Sequence, residues 1–261
     1  LLMCGLAGFF SKTLLQTNAE DSLRKMGRSL IHRGPDDEGI WLDPRIGIGL
    51  AHQRLSVVDL SSEGRQPMAS ASGRYVIVYN GEVYNFLELR KILEQAGDLH
   101  WRGHSDTEVI LACIEKWGLS QALTKFNGMF AFALWDKEKR VLTLARDRIG
   151  IKPLYYGWMG KTFLFGSELK SLKAHPDFVG KVDRESLSLL MRFNYIPAPR
   201  SIYQDIYKLQ PGTFLSIRGD KEVSSPTPYW SFSETARLGV REGFKGTREE
   251  AVNQLDSLLG E

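Results

Sequence analysis

The stretch Leu1-Leu2-Met3-Cys4-Gly5-Leu6-Ala7-Gly8-Phe9-Phe10 puts a cysteine directly after a methionine and at the head of an apolar, glycine-broken run that reads as a buried strand. Cleavage after Met3 would leave Cys4 with a thiol and a free α-amino group on one residue. An α-amine titrates near ~7.7–8.0 and a thiol near ~8.5, so at neutral pH the amine is partly available as a base for its own neighbour. Nucleophile and general base would then be the same residue. The competing reading makes Cys4 a small buried hydrophobe, the commonest fate of a free cysteine.

Outward from this stretch, composition narrows the classes. The 261 residues suffice for one large domain, or for one domain plus part of another, and 43% apolar with 25% charged residues is ordinary for a globular chain. Lys+Arg 34 against Asp+Glu 31 gives +3 with the signs interspersed, so neither a nucleic acid nor a membrane is an expected partner. No apolar run approaches ~18 residues and no secretory signal opens the chain, which leads to the expectation of a soluble, cytoplasmic protein. Cys4 and Cys113 cannot build a disulfide framework, and no His/Cys cluster has zinc spacing, so no metal is expected. Cys113 shares a helical pattern with Val109, Ile110 and Trp117, which assigns it to packing.

Along the chain, residues 19–31 read as a helix broken at Gly34-Pro35, and 38–42 and 46–52 as a strand pair. Residues 59–73 form a polar loop, and 74–79 a β-branched and aromatic strand that stops at Asn80-Gly81. Helices are expected at about 85–96 and 106–117, the second capped by Ser105 or Asp106. Strand-like runs follow at 128–135, 140–146, 153–157 and 162–166, then short helices at 167–175 and 184–193 and a strand at 211–217. Ser224-Ser225-Pro226-Thr227-Pro228 reads as a linker, and 231–261 as polar with one helix near 248–259. The pattern is α+β with a layered, mainly antiparallel sheet system.

Amide hydrolysis by a thiol needs an activated sulfur, donors for the oxyanion, groups that hold the charged ends of the substrate, and exclusion of water. Asn80-Gly81 at a strand end offers a side-chain amide and a backbone N–H for the oxyanion, against the plainer reading of a tight turn. Arg54 offers a planar fork for a carboxylate, while Glu82 and Asp106 suit an ammonium. Singly, each is a solvated charge, or for Asp106 a helix cap. Together they fit the zwitterionic end of an amino acid with an amide side chain, glutamine or asparagine.

The set Met3-Cys4-Gly5, HRGPD at 32–36, LAHQRLSVVDLS at 50–61, QPM at 66–68, NGEVYN at 80–85, SDTEV at 105–109, NGMFAFALWD at 127–136, RDRIGIKPLYYG at 146–157 and FGSELKSL at 165–172 resembles the glutaminase domain of asparagine synthetases. Those are class II glutamine amidotransferases of the N-terminal nucleophile type, and the match runs unbroken from residue 3 to about 217. The resemblance implies a four-layered αββα sandwich of the N-terminal nucleophile hydrolase type. It implies Cys4 as nucleophile with its α-amine as base, and Asn80 with the Gly81 N–H as oxyanion hole. It places Arg54 on the glutamine α-carboxylate with backbone help from Val57, and Glu82 and Asp106 on the α-ammonium. The expected reaction is hydrolysis of glutamine to glutamate and ammonia through a cysteine thioester. The ammonia would pass to an aspartate-like acceptor in a synthetase domain that uses ATP and Mg; no cofactor is expected in residues 3–217. The resemblance also allows a homodimer. Two other readings stand beside it: a non-catalytic glutamine-binding or scaffold module, and a glutaminase half serving a sugar or secondary-metabolite acceptor.

Two departures from the family pattern matter. Leu1-Leu2-Met3 precede the nucleophile, and while Met3 is attached the Cys4 nitrogen is an amide without a basic lone pair. Either Met3 is the true start and Leu1-Leu2 a start-site artefact, or a short leader is removed, or this form is inactive. The first is favoured, because a small residue after Met permits Met removal. Residues 218–261 are expected to be a linker and the start of a truncated synthetase domain, since its SGG-x-D-S loop does not occur here and Gly239 to Lys245 has the wrong spacing for a Walker A sequence.

Overall fold

Alternate side chains of a strand leave on opposite faces, so a strand apolar throughout must be covered on both. Strand β1 (Gly5–Ser11) is of this kind: Leu6 and Phe10 enter one core while Ala7 and Phe9 enter another. A computed structural model describes residues 3–11, 18–57, 59, 61–97, 100–219 and 225–260. Leu1, Leu2, Val58, Leu60 and Ser224, which figure in the readings above, lie outside the described residues. After β1 come α1 (Ala19–Arg28), β2 (Asp37–Asp43), β3 (Ile48–Arg54), a 3₁₀ turn (Ser62–Gly64), β4 (Met68–Ala69) and β5 (Tyr75–Val83). Helices α2 (Phe86–Gln95), α3 (Asp106–Trp117) and α4 (Leu119–Lys125) lead to β6 (Gly128–Asp136), β7 (Val141–Arg146), β8 (Tyr155–Met159) and β9 (Thr162–Gly166). Then follow α5 (Leu169–Lys173), α6 (Arg184–Phe193), β10 (Ile206–Lys208), β11 (Thr213–Arg218), β12 (Thr227–Pro228), α7 (Phe232–Arg241) and α8 (Arg248–Gly260).

The strands form two sheets, ordered β10-β8-β9-β1-β3-β2 and β12-β11-β7-β6-β5-β4. Neighbouring strands run antiparallel. Between the sheets lies a core that includes Leu6, Phe10, Leu50, Val76, Val78, Ala133, Trp135 and Phe163. On the outer face of the first sheet, Ala7, Phe9 and Ala51 meet Leu23, Met26 and Leu30 of the α1 segment and Leu172 of α5. On the outer face of the second, Ile77, Tyr79, Phe130 and Phe132 meet Leu89, Leu93, Val109, Ile110, Cys113 and Leu123 of α2, α3 and α4. Three cores make four layers, the αββα sandwich expected from the sequence.

The structure moves several boundaries. Helix α1 stops at Arg28, and the chain then winds more tightly through bonds from Leu30 N to Gly27 O and from Arg33 N to Leu30 O, which keeps Leu30 buried. Strand β5 does not stop at Asn80 but continues to Val83, with Asn80 opposite Ala131 and Gly81 opposite Phe130, so Asn-Gly is not a turn. A Cβ at Gly81 would lie 2.2 Å from the Met129 carbonyl oxygen, and the glycine is there for that close approach. Helices α4 and α7 were not anticipated; Ser231 caps α7 by accepting from the Glu234 N–H, an S-x-x-E signature legible in the sequence.

The first compact unit extends to Trp230, past the expected boundary at 217. Thr227 and Pro228 pair with Phe214 and Thr213, and the Tyr229 hydroxyl donates to the Arg146 carbonyl at 2.8 Å. The second unit, Ser231–Glu261, contains α7 and α8.

Candidate active site

Cys4 enters β1 beside the end of β3, where Gly5 pairs with Gln53. Its Sγ accepts from the Leu55 N–H at 3.3 Å and lies 3.5 Å from the Leu55 carbonyl. Burial pushes the thiol up, opposed by that N–H, and the Asp106 carboxylate adds to the rise while Arg54 and Arg33 oppose it. The Cys4 carbonyl accepts from Arg33 Nε at 2.9 Å and from the Asn80 amide nitrogen at 3.0 Å, in the amide orientation that also lets the Asn80 oxygen accept from Arg33 Nη2 at 3.3 Å. Arg33 is anchored in turn by Glu168 at 2.8 Å. Burial alone would raise the Glu168 carboxyl, but bonds from Arg33, His32 and Lys170 hold it at about 2.

The Asn80-Gly81 segment lies on an open sheet edge. Because β4 is only Met68–Ala69, opposite Ile77 and Val76, the β5 backbone beyond Ile77 has no strand on that side among the described residues. Side chains replace it: Gln66 Oε1 accepts from the Tyr79 N–H at 2.6 Å, and His52 Nε2 donates to the Tyr79 carbonyl at 2.9 Å. Farther along, the Val83 N–H donates to Asp106 Oδ2 at 3.0 Å. Gly81 sits between them with the same alternation. Its partner Phe130 turns its own N–H and carbonyl to Asp147, so the Gly81 N–H points away from β6 and toward the open edge.

Arg54, at the end of β3, is 7% exposed; Nη1 donates to the Ser61 carbonyl at 3.0 Å and Nη2 to the Asp59 carbonyl. Asp59 fixes this loop: Oδ1 accepts from Ser61 N and Oγ at 2.8 and 2.6 Å, and Oδ2 from His104 N at 3.0 Å, ahead of α3. Burial would raise the Asp59 carboxyl, but the Ser61 and His104 bonds and Arg54 hold it below its ordinary value.

Asp106 is not the cap of α3. Ser105 is, its Oγ accepting from the Glu108 N–H at 3.3 Å. Asp106 instead accepts from the Tyr79 hydroxyl at 2.6 Å as well as from Val83, and burial raises its carboxyl against these bonds.

A cavity of about 270 Å³ collects Cys4, Arg54, Val57, Asn80, Gly81, Glu82 and Asp106, all the residues singled out from the sequence. Val57 is 66% exposed, at the rim, and Glu82 is half-buried. Asp59, Tyr79 and Lys152 also line the cavity, as does Met3; the first three were not foreseen as site residues. Lys152 is buried because Asp147 gathers the N–H groups of Phe130, Ile151 and Lys152 and turns the loop inward; its Nζ lies 3.1 Å from Met3 Sδ. Burial lowers the Lys152 ammonium, with Arg33 adding to it. Among the described residues, no group of three His, Cys, Asp or Glu side chains is arranged to hold a metal, and no helix is long and apolar enough to cross a membrane.

His52 behind the site gives a pH test. It is fully buried and pushed down to about 4 by desolvation, only partly offset by its bond to Tyr79, and Nδ1 has no partner among the described residues. The folded imidazole therefore stays neutral where the unfolded one takes a proton. Its stability contribution is complete above about pH 6.5 and falls as pH drops toward 4, by about 3 kcal/mol in all. Denaturant midpoints at pH 7 and pH 4.5 should separate more for the native protein than for His52→Gln, whose amide still donates to Tyr79.

A family model described as "Glutamine amidotransferase domain" matches residues 3–230. The chain belongs to that family. This amidotransferase domain is 38% identical over 227 residues to asparagine synthetase [glutamine-hydrolyzing] 1 of Bacillus subtilis, an alignment covering 86% of this chain and 35% of the relative. It is 36% identical over 252 residues to a putative asparagine synthetase [glutamine-hydrolyzing] 2 of Methanocaldococcus jannaschii, covering 89% and 47%. The domain thus spans between a third and a half of the length of these relatives. Among solved structures, glutamine phosphoribosylpyrophosphate amidotransferase from B. subtilis superposes with a TM-score of 0.63 at 20% identity, covering 88% of this chain and 50% of that one, which is a likeness of fold.

Proposed function

We propose that the domain hydrolyses glutamine to glutamate and ammonia through a thioester on Cys4. The observation that carries this is the meeting of Cys4, the Asn80-Gly81 edge, Arg54 and the Glu82/Asp106 pair around one cavity sized for a single amino acid. Once Met3 is removed, the Cys4 α-amine takes the thiol proton and Sγ attacks the glutamine amide carbon. The oxyanion that forms is held by the Gly81 N–H and the Asn80 amide, which retains a second N–H besides the one on the Cys4 carbonyl. The α-ammonium returns its proton to the amide nitrogen as collapse breaks the C–N bond, so that ammonia leaves, and water then hydrolyses the thioester to glutamate and the free thiol. Arg54 holds the α-carboxylate with Val57 backbone beside it, and Glu82 and Asp106 hold the α-ammonium.

The B. subtilis and M. jannaschii relatives support an acceptor-activating half beyond residue 230, with ammonia passing to an aspartate-like acceptor. ATP and Mg²⁺ belong to that half. The described residues supply neither a phosphate loop nor a metal cluster, and no step above passes through either. While Met3 remains, the Cys4 nitrogen is an amide and burial keeps the thiol protonated, so that form binds glutamine without turnover. Intact mass and glutamate release, measured on one preparation, test the scheme. Glutamate release is expected only from chains beginning at Cys4; turnover by protein that keeps Met3 would overturn the α-amine as base.

A further inference from the structure

We propose that Tyr79 is a positioning residue of this site, binding the oxyanion segment that follows it to the carboxylate that receives the substrate ammonium. The inference rests on the glutamine reading above.

Three elements hold Tyr79 by its three polar groups. Gln66, ahead of β4, takes its N–H; His52, from the opposite sheet, takes its carbonyl; and Asp106, at the first turn of α3, takes its hydroxyl at 2.6 Å. Tyr79 is 2% exposed, its ring packed in the core under α3. Its backbone leads directly into Asn80 and Gly81. A shift of α3 is thereby transmitted to the donors, and a shift of β5 to the carboxylate.

The hydroxyl and the Val83 N–H both donate to Asp106 Oδ2, which fixes the carboxylate about its Cβ–Cγ bond. Glu82 from β5 and the Cys4 thiol also face Asp106, while Arg54, Asp59 and Lys152 line the same cavity. Burial and Glu82 favour the neutral acid, whereas Tyr79 is foremost among the groups that favour the anion. Loss of the hydroxyl leaves the acid to protonate at higher pH and to drift from the ammonium.

Tyr79→Phe keeps the ring in the core and removes only the hydroxyl. The glutamine KM should rise about ten- to a hundred-fold with kcat little changed at alkaline pH, as for a lost hydrogen bond to a charged group. The acid limb of kcat/KM should move to higher pH by about one unit. Tyr79→Phe leaves Glu82 and Asp59 in place, so a difference between the two proteins in the acid limb reports Asp106. Loss of packing alone would lower the melting temperature and leave the limb where it was. An independent arm needs no turnover: the ¹³C shift of the Asp106 carboxyl, followed against pH, should titrate higher in Tyr79→Phe than in the native chain. If chains that begin at Cys4 release no glutamate, the glutamine reading fails and the carboxyl titration still decides the role of Tyr79. Unchanged titration of Asp106, or an unchanged KM and acid limb in an active protein, would overturn it.

Discussion

Cys4→Ala should abolish glutamate release while leaving the fold and glutamine binding intact. The side chain it removes is small and only half-buried, and the Leu55 N–H that bonded the sulfur sits at the cavity, within reach of water. Deleting a nucleophile that acts as one unit with its base costs on the order of 10⁶ in kcat, which brings turnover to the limit of detection. Cys113 provides the contrast. It is fully buried in α3, and desolvation pushes its thiol up to about 12, far from any useful thiolate population. Glutamate release and calorimetric binding of glutamine, measured for Cys4→Ala and Cys113→Ala together, check both statements. Residual turnover in Cys4→Ala that is lost in Cys113→Ala would move the nucleophile.

Asp106→Asn should weaken glutamine more than any other single charge change at this site. Removing one partner of a desolvated charge pair leaves the other unpaired and typically costs ~3–5 kcal/mol, against ~0.5 kcal/mol for an ordinary surface substitution. Asn keeps an oxygen to accept from Tyr79 and Val83, and Ser105, not Asp106, caps α3. Neither local structure nor capping therefore accounts for a loss. Burial disfavours the Asp106 anion before any ammonium binds beside it, so melting should hold or rise while KM climbs steeply. A KM within twofold of the native value would detach Asp106 from the substrate.

The buried strands and the α+β class were legible because burial on both faces writes itself as an unbroken apolar run, as at Gly5–Ser11 and Gly128–Asp136, while the four layers came from the family resemblance. The residues that converge on the cavity were legible mainly through motif order, since Arg54, Gly81 and Asp106 taken singly have commoner explanations. What escaped was long-range. Asp59 bonds His104 across forty-five positions, and Tyr79 reaches Asp106 across twenty-seven, with nothing local to announce either. Lys152 reads as a surface lysine until Asp147 folds its loop inward. The strand end read at Asn80-Gly81 moved to Val83 for a related reason: glycine there answers the Met129 carbonyl of the next strand, not a bend in its own.

The shortness of β4 carries a consequence for how this chemistry can be inherited. Between the Gln66 contact and the Asp106 contact, the Gly81 N–H is main chain, left at the edge because β4 begins only at Met68, opposite Ile77. A donor of that kind is encoded by topology and not by a codon. Exchange of the side chains around it can retune what binds, yet short of a proline at position 81 no exchange deletes the group itself. Drift in substrate preference can therefore run well ahead of drift in reaction type.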